Sequence, residues 1–382
     1  MKKNTPAKKT TVAAKPTRPP APAAKKLATK KIAATKVAAE IVTAKKMLPS
    51  ASKAVPVKAT KPVAKPIAKP ATPLIAKPTQ KQIKKLTAKP AAAGHQLRIF
   101  QIYYQPEQRE QLEPTFEPYN NEGDRSPLLE FNVFQKLAKS ELVQGADLWG
   151  ALSWKFAQKT ELSGASLRQT IADNPGYDVY YCNPYPELES QYHNLWLQGE
   201  VSHPDFLTLC QAFFEAADLD PAAINAFTPS QHFAASNYFV ASPKFWRSYI
   251  EFVTSTIAKA EARLPDSAKD MLYSPSADRI GAHAGASYLP FIVERLFGLF
   301  LAEQGKTFKA FKYPLPAKEE ALNVHLKLLR QMKDLAIKSK SLWLATCWVN
   351  YRNLYMSNNY GAQWCRRHLK NITPTDFKFL QS

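Results

Sequence analysis

Few residues in this chain combine a reactive type with a suggestive setting. Glu294 stands beside Arg295 in an apolar run of Phe291, Val293, Leu296 and Phe297. A carboxylate there is either half of a buried ion pair or a site carboxylate able to act as a general base. His203 precedes Pro204 at an expected helix start. An imidazole there takes a proton, binds phosphate, or simply caps and packs. Lys155 closes the apolar stretch ADLWGALSWKF, where a cation either neutralises phosphate charge or is only solvated. Asn120 and Asn121 fall in the expected loop after the first strand, and Asp178, Asn183 and Asn237 at the ends of expected strands; all are in reach of a ligand but equally at home in turns. Trp149, Trp154, Trp196 and Trp246 offer flat faces for a sugar ring, or fill the core.

Negative findings narrow the chemistry. The chain contains one Asp-x-Asp, Asp218-Leu219-Asp220, just before Pro221. At a helix end it reads either as a divalent-metal motif or as a solvated turn and cap. The metal-ligand set is therefore left unknown; Mn²⁺ or Mg²⁺ is the cofactor class compatible with the chemistry below, with no clear motif. No Walker loop, GxGxxG, HExxH or GxSxG occurs, which removes the usual support for nucleotide-loop, dinucleotide, zincin and serine-hydrolase readings. Cys182, Cys210, Cys347 and Cys365 form no CxxC pair; this argues against structural zinc and a disulfide framework and suits a reducing cytosol.

The elements that must position these residues begin with LRIFQIYY, Leu97 to Tyr104, a buried first strand. A loop rich in proline and asparagine follows over 105–127, then a helix bearing Leu128, Phe131, Phe134 and Leu137. Ala146 to Phe156 reads as a second strand, a helix capped by Ser163 or Ser166 follows, and Asp178 to Cys182 reads as a third strand. Helices are expected over 187–198, 204–217, 243–263, 288–304 and 318–338, with a short strand at Asn237 to Ala241 and an edge strand near Thr307 to Tyr313. Alternation of strand and helix predicts an α/β fold with a mostly parallel central sheet and many flanking helices. Ligands of such sheets bind beyond the carboxyl ends of the strands, on the rim formed by the loops 105–127, 154–165 and 183–187.

Composition divides the chain at Gly94. Residues 1–94 hold 23 lysines and arginines against one acid, Glu40, so they carry +22, and 95–382 carry −1. All 20 Phe, 16 Tyr and 7 Trp lie from Phe100 onward. Without aromatic bulk, and with AKP and AKK recurring to Pro90, residues 1–94 are expected to be a disordered basic arm. Its lysines would bind a polyanion by counterion release, either DNA or an anionic membrane surface. Its composition resembles linker-histone tails and bacterial AKP-repeat proteins. No secretory signal or transmembrane stretch is expected. The expected location is cytoplasmic, with the arm drawing the protein to the inner membrane surface or the nucleoid.

Several segments of 95–382 resemble one bacterial family. FNVFQKL with GADLWGALSWKF is similar to the asparagine-rich helix and following strand of a domain-of-unknown-function family found among capsule and polysaccharide enzymes. DVYYCNPYPELESQYHNLWLQGEVSHPDFLTL, NYFVASPKFWRSYIEFV and LPFIVERLFGLFLAEQG resemble its later segments in the same order, from about Leu97 to Gly305. The resemblance implies a glycosyltransferase A-like fold and transfer of a sugar from a nucleotide-sugar donor to a polysaccharide or other glycan acceptor. On that basis Glu294 and His203 are the catalytic candidates, and Asn120, Asn121, Lys155, Asp178, Asn183 and Asn237 would bind the donor. The family's His-Tyr-Arg-Arg-like cluster is replaced here by Ser153-Trp154-Lys155-Phe156, which keeps one cation and loses the arginine pair. The alternative is a nucleoid-associated or polyanion-binding protein working through its arm, with a non-catalytic interaction domain. An inactive sugar-binding module is a third reading.

Overall fold

The computed structural model describes residues 96–275, 286–374 and 376–380, all within one unit. The expected disorder and polyanion binding of 1–94 lie outside the described residues.

Six strands form one sheet: β1 (Leu97–Tyr103), β2 (Glu117–Asn120), β3 (Leu148–Ser153), β4 (Val179–Tyr181), β5 (Phe239–Ala241) and β6 (Ala310–Lys312), in the order β2-β1-β3-β5-β4-β6. β1 pairs in parallel with β2 and β3, and β4 with β6. β5 runs antiparallel to both of its neighbours, β3 and β4. The sheet is therefore mixed: five of its six strands run one way, as strand–helix alternation predicts, and β5 alone is reversed. The long excursion between β4 and β5 returns the chain at the carboxyl rim, so β5 starts where its neighbours end. β2 was not expected; it sits inside the proline-rich stretch that reads as loop.

The helices are α1 (Pro106–Arg109), α2 (Glu130–Ala138), α3 (Phe156–Thr160), α4 (Gly164–Asp173), α5 (Pro186–Gln191), α6 (Leu195–Ser202), α7 (Phe206–Ala216), α8 (Pro243–Arg263), α9 (Asp266–Tyr273), α10 (Leu289–Gln304), α11 (Pro316–Ala321), α12 (Val324–Ser339), α13 (Leu342–Trp364) and α14 (Lys370–Ile372). Two expected helices each divide in two at an asparagine. Asn194 caps α6 by accepting from the Leu197 amide at 2.8 Å, and Asn323 caps α12 by accepting from Leu326 at 2.9 Å.

Both faces of the sheet are covered, which is why β3, and β1 apart from Arg98 and Gln101, are apolar without alternation. On one face Trp149 and Trp246 stack at 4.1 Å, and Phe239 lies 4.7 Å from Trp246 and 4.3 Å from Phe297. Trp246 closes this layer by donating its indole N–H to the Trp149 carbonyl at 2.8 Å. The other face holds Ile99, Leu152, Phe156, Leu167, Tyr180 and Val240. β5 approaches β3 so closely that a Cβ on Gly150 would stand 2.6 Å from the Phe239 carbonyl oxygen. Only glycine permits that approach. α12 and α13 pack together around Leu329, Ala336, Ala345 and Trp348.

Candidate active site

The carboxyl rim is organised by Gln101, a fully buried amide within β1. Its Nε2 donates to the carbonyls of Ser153 and Trp154 at 3.2 and 3.3 Å, and its Oε1 accepts from the Glu113 amide at 2.6 Å. One side chain thus ties the first rim loop to the end of β3. Glu113 extends the tie by accepting from the Gly164 amide at 2.7 Å. An unbonded amide here would be costly, so the rim geometry is fixed by its burial.

Beside this brace opens a cleft of about 470 Å³. The end of β1 brings Tyr104, the end of β3 brings Ser153, Trp154 and Lys155, and α3 brings Lys159. α2 begins with Glu130, α10 contributes Glu294, and the approach to the reversed strand β5 contributes Asn237. Four of the residues singled out from the sequence, Trp154, Lys155, Asn237 and Glu294, therefore come together.

The cleft's charges are held but not neutralised. Glu294 Oε1 accepts from the Ser236 amide at 3.0 Å, and Lys159 Nζ donates to the Ser236 hydroxyl at 3.4 Å. Lys159 also faces the rings of Tyr185 and Tyr238 at 5.9 and 5.6 Å. Lys155 Nζ sits 4.8 Å from the centre of the Trp154 ring. The Ser153 and Tyr238 hydroxyls are 2.9 Å apart. None of Glu130, Glu294, Lys155 and Lys159 forms a salt bridge among the described residues. Burial pushes the Glu130 carboxyl above the ordinary range, and the Glu294 charge adds to that, while Lys159 works against it. Burial likewise pushes the Tyr104 phenol up, with Glu130 and Asp124 contributing. Leu129, on the cleft wall just before Glu130, has φ 48° and ψ −121°, a conformation natural only to glycine.

The remaining candidates lie elsewhere. His203 is buried with its ring 4.2 Å from Phe291, in an aromatic layer with Phe206 and Tyr288 rather than on the cleft lining. Asn120 Oδ1 accepts from the Glu122 amide at 2.8 Å in a local turn. Asn121 is buried and reaches the cleft only through Tyr104. Asp178 precedes β4 at the opposite rim, because β4 runs in the direction of β1 and β3; its carboxylate accepts from the Lys309 amide at 2.8 Å. Asn183 does lie beyond the end of β4, but its amide donates to Glu189 at 2.7 Å in a separate pocket. Trp149, Trp196 and Trp246 are core, which leaves Trp154 as the indole on the cleft.

The Asp-x-Asp does not reach the site. Asp218 pairs with Arg263 and with Lys259, and Asp220 caps the turn Pro221–Ile224 through the Ala222 amide at 2.9 Å. Among the described residues no group of three or more His, Cys, Asp or Glu is placed to hold a metal ion.

Glu130 and Lys159 escaped the sequence reading. An acid in the first turn of a helix is commonplace as a partner of the helix dipole, so Glu130 carried no distinguishing signal. Lys159 lies in what reads as a loop but is the helical turn α3, which swings it back over the rim. The chain matches no protein-family model, no curated protein and no solved structure.

Proposed function

We propose that the protein transfers a sugar from a nucleotide-sugar donor to a glycan acceptor in the cleft at the carboxyl rim. The observation that carries this reading is the meeting of Lys155, Lys159, Asn237, Trp154 and two carboxylates around one cavity of about 470 Å³, a size suited to a small-molecule ligand. A six-stranded mixed sheet with one reversed strand supports a glycosyltransferase A-like fold, as do the ordered segments from Leu97 to Gly305.

In this reading Lys155 and Lys159 neutralise the donor diphosphate as it departs. Asn237 hydrogen-bonds the donor, and Trp154 offers the apolar face of the sugar a flat surface. Glu294 takes the proton of the acceptor hydroxyl while that hydroxyl's oxygen bonds the anomeric carbon and the bond from that carbon to the phosphate oxygen breaks, the diphosphate leaving. The charge of +22 on residues 1–94 supports a second contact, with a polyanion, that would localise the enzyme.

The test is the melting temperature of the full chain with a panel of nucleotide sugars, with and without Mn²⁺. A donor at 100 times its dissociation constant adds about 2.7 kcal/mol, raising the melting temperature by a few degrees. Glu294→Gln should keep that shift and lose turnover by roughly a hundredfold or more. No shift with any donor, or full turnover by Glu294→Gln, would sink the assignment.

A further inference from the structure

Between Asp334 and Asp376 the chain has no acidic residue, yet it carries Lys338, Lys340, Arg352, Arg366, Arg367 and Lys370. α13 runs through the middle of this stretch. Its inner face, Ala345, Trp348, Val349, Arg352 and Met356, is buried. Its outer face is Leu342, Trp343, Thr346, Cys347, Asn350 and Leu354, all exposed and all uncharged. Trp343 is 84 % exposed and Leu342 and Leu354 more than half exposed. Leu335, in the last two turns of α12, adds a further exposed leucine near the α12–α13 turn.

The outer face of a surface helix ordinarily carries its charges. Here the only cation within α13, Arg352, points inward, where its guanidinium donates to the Ile372 carbonyl at 3.2 Å. The exposed cations gather at the two ends instead: Lys338 and Lys340 just before the helix, and Arg366, Arg367 and Lys370 beyond the kink at Gly361 (φ 81°, ψ 166°) that ends its straight run. An apolar and neutral face bounded at both ends by cations suits a helix lying flat in the headgroup region of a bilayer, its tryptophan at the interface and its cations on anionic headgroups. No helix among the described residues is long and apolar enough to cross a membrane.

We infer that the outer face of α13 docks on an anionic lipid surface, with Leu342 and Trp343 inserted. A nucleic acid would call for cations across the face, not only at its ends. A second copy packed antiparallel on this face would set Lys338 and Lys340 against Arg366 and Arg367, like charge on like. Residues 1–94, at +22, would meet the same repulsion.

The experiment uses the full chain with vesicles of phosphatidylcholine and phosphatidylglycerol, the phosphatidylcholine being brominated on its acyl chains. High salt screens the arm's attraction, so the apolar insertion is read separately. Tryptophan emission should shift to the blue and be quenched, and Trp343→Phe should remove most of that quenching. Leu342→Glu with Trp343→Glu, both at exposed sites, should keep the wild-type circular dichroism and weaken co-sedimentation at high salt roughly tenfold or more. Co-sedimentation without quenching, or unchanged in the double variant, would assign lipid binding to the arm and overturn the inference. So would a double variant that loses DNA binding, or dimerisation measured by light scattering, while its vesicle binding stays intact.

Discussion

Two pockets open on the same rim of the sheet, and they treat charge in opposite ways. Beyond β4 and β6, a pocket of about 290 Å³ is lined by Asn183, Glu189, Lys312, Glu319 and Arg330. Glu189 is only 2 % exposed and is saturated: Lys312 Nζ donates to it at 2.5 Å, Asn183 at 2.7 Å, and Arg330 lies at 3.6 Å. Arg330 also forks onto Glu319 at 2.8 and 2.6 Å and holds that carboxyl below the usual range. Beyond β1 and β3, the cleft keeps two carboxylates and two lysines with no salt bridge among them. Charges that answer one another are structural; charges held apart around a void are available to a ligand. Composition alone does not distinguish the two pockets, since each mixes acids and bases.

The sharpest test of that contrast exchanges one acid in each, buried Glu189 and half-buried Glu294. Glu189→Gln leaves Lys312 and Arg330 without their shared partner and should cost about 3 to 5 kcal/mol, the usual loss when a buried ion pair is broken. Glu294→Gln removes no ion pair and retains an acceptor for the Ser236 amide, so stability should stay within about 0.5 kcal/mol of wild type. Urea denaturation midpoints read both, with unchanged slopes. Equal losses in the two variants would erase the distinction between the pockets.

Lys333 carries the comparison into pH dependence. It is fully buried behind the second pocket, with Nζ donating to the Tyr192 carbonyl at 3.1 Å and 4.8 Å from the Phe233 ring centre. Burial lowers its pKa to about 8, with Asp334 and Glu189 opposing the shift, against about 10.4 unfolded. Between those values the unfolded state holds the extra proton, so stability rises with pH there and the penalty is fully present below about 8. Wild type should gain on the order of 1 to 2 kcal/mol from pH 8 to roughly 9.5, before tyrosines ionise in the unfolded chain. Denaturation of Lys333→Met over the same range should lack the slope. An identical slope in the variant would move the titration to another group.

How far the sequence reveals the site follows the same division. β1, β3, α8 and α10 are legible because apolar runs and helical spacing depend on burial alone. Lys155, Asn237 and Glu294 are legible because each breaks a local pattern: a cation after a core strand, an amide at a strand entrance, an acid among phenylalanines. Asp178 misleads because strand direction, and hence which rim a residue faces, is a property of the whole sheet. His203 misleads because a buried packing histidine and a site histidine share one local signature. Glu130 is silent because its neighbour Glu294 lies far along the chain, and only the fold brings their charges together.

Strain gives the smallest effect and the most local one. Leu129 holds φ 48° directly before Glu130, and a leucine in that region costs on the order of 1 kcal/mol or more. Leu129→Gly relieves this, though a glycine's greater unfolded-state freedom takes part of it back, so the net gain in thermal stability should be about 1 kcal/mol or less. The same change loosens the entry to α2 and removes a wall of the cleft, so affinity for whichever donor shifts the wild-type melt should fall. Stability and binding would then move in opposite directions, the trade-off expected where strain serves a site. A variant that is less stable and binds equally well would mean that Leu129 is held for packing, and the cleft would lose its claim to a functionally strained wall.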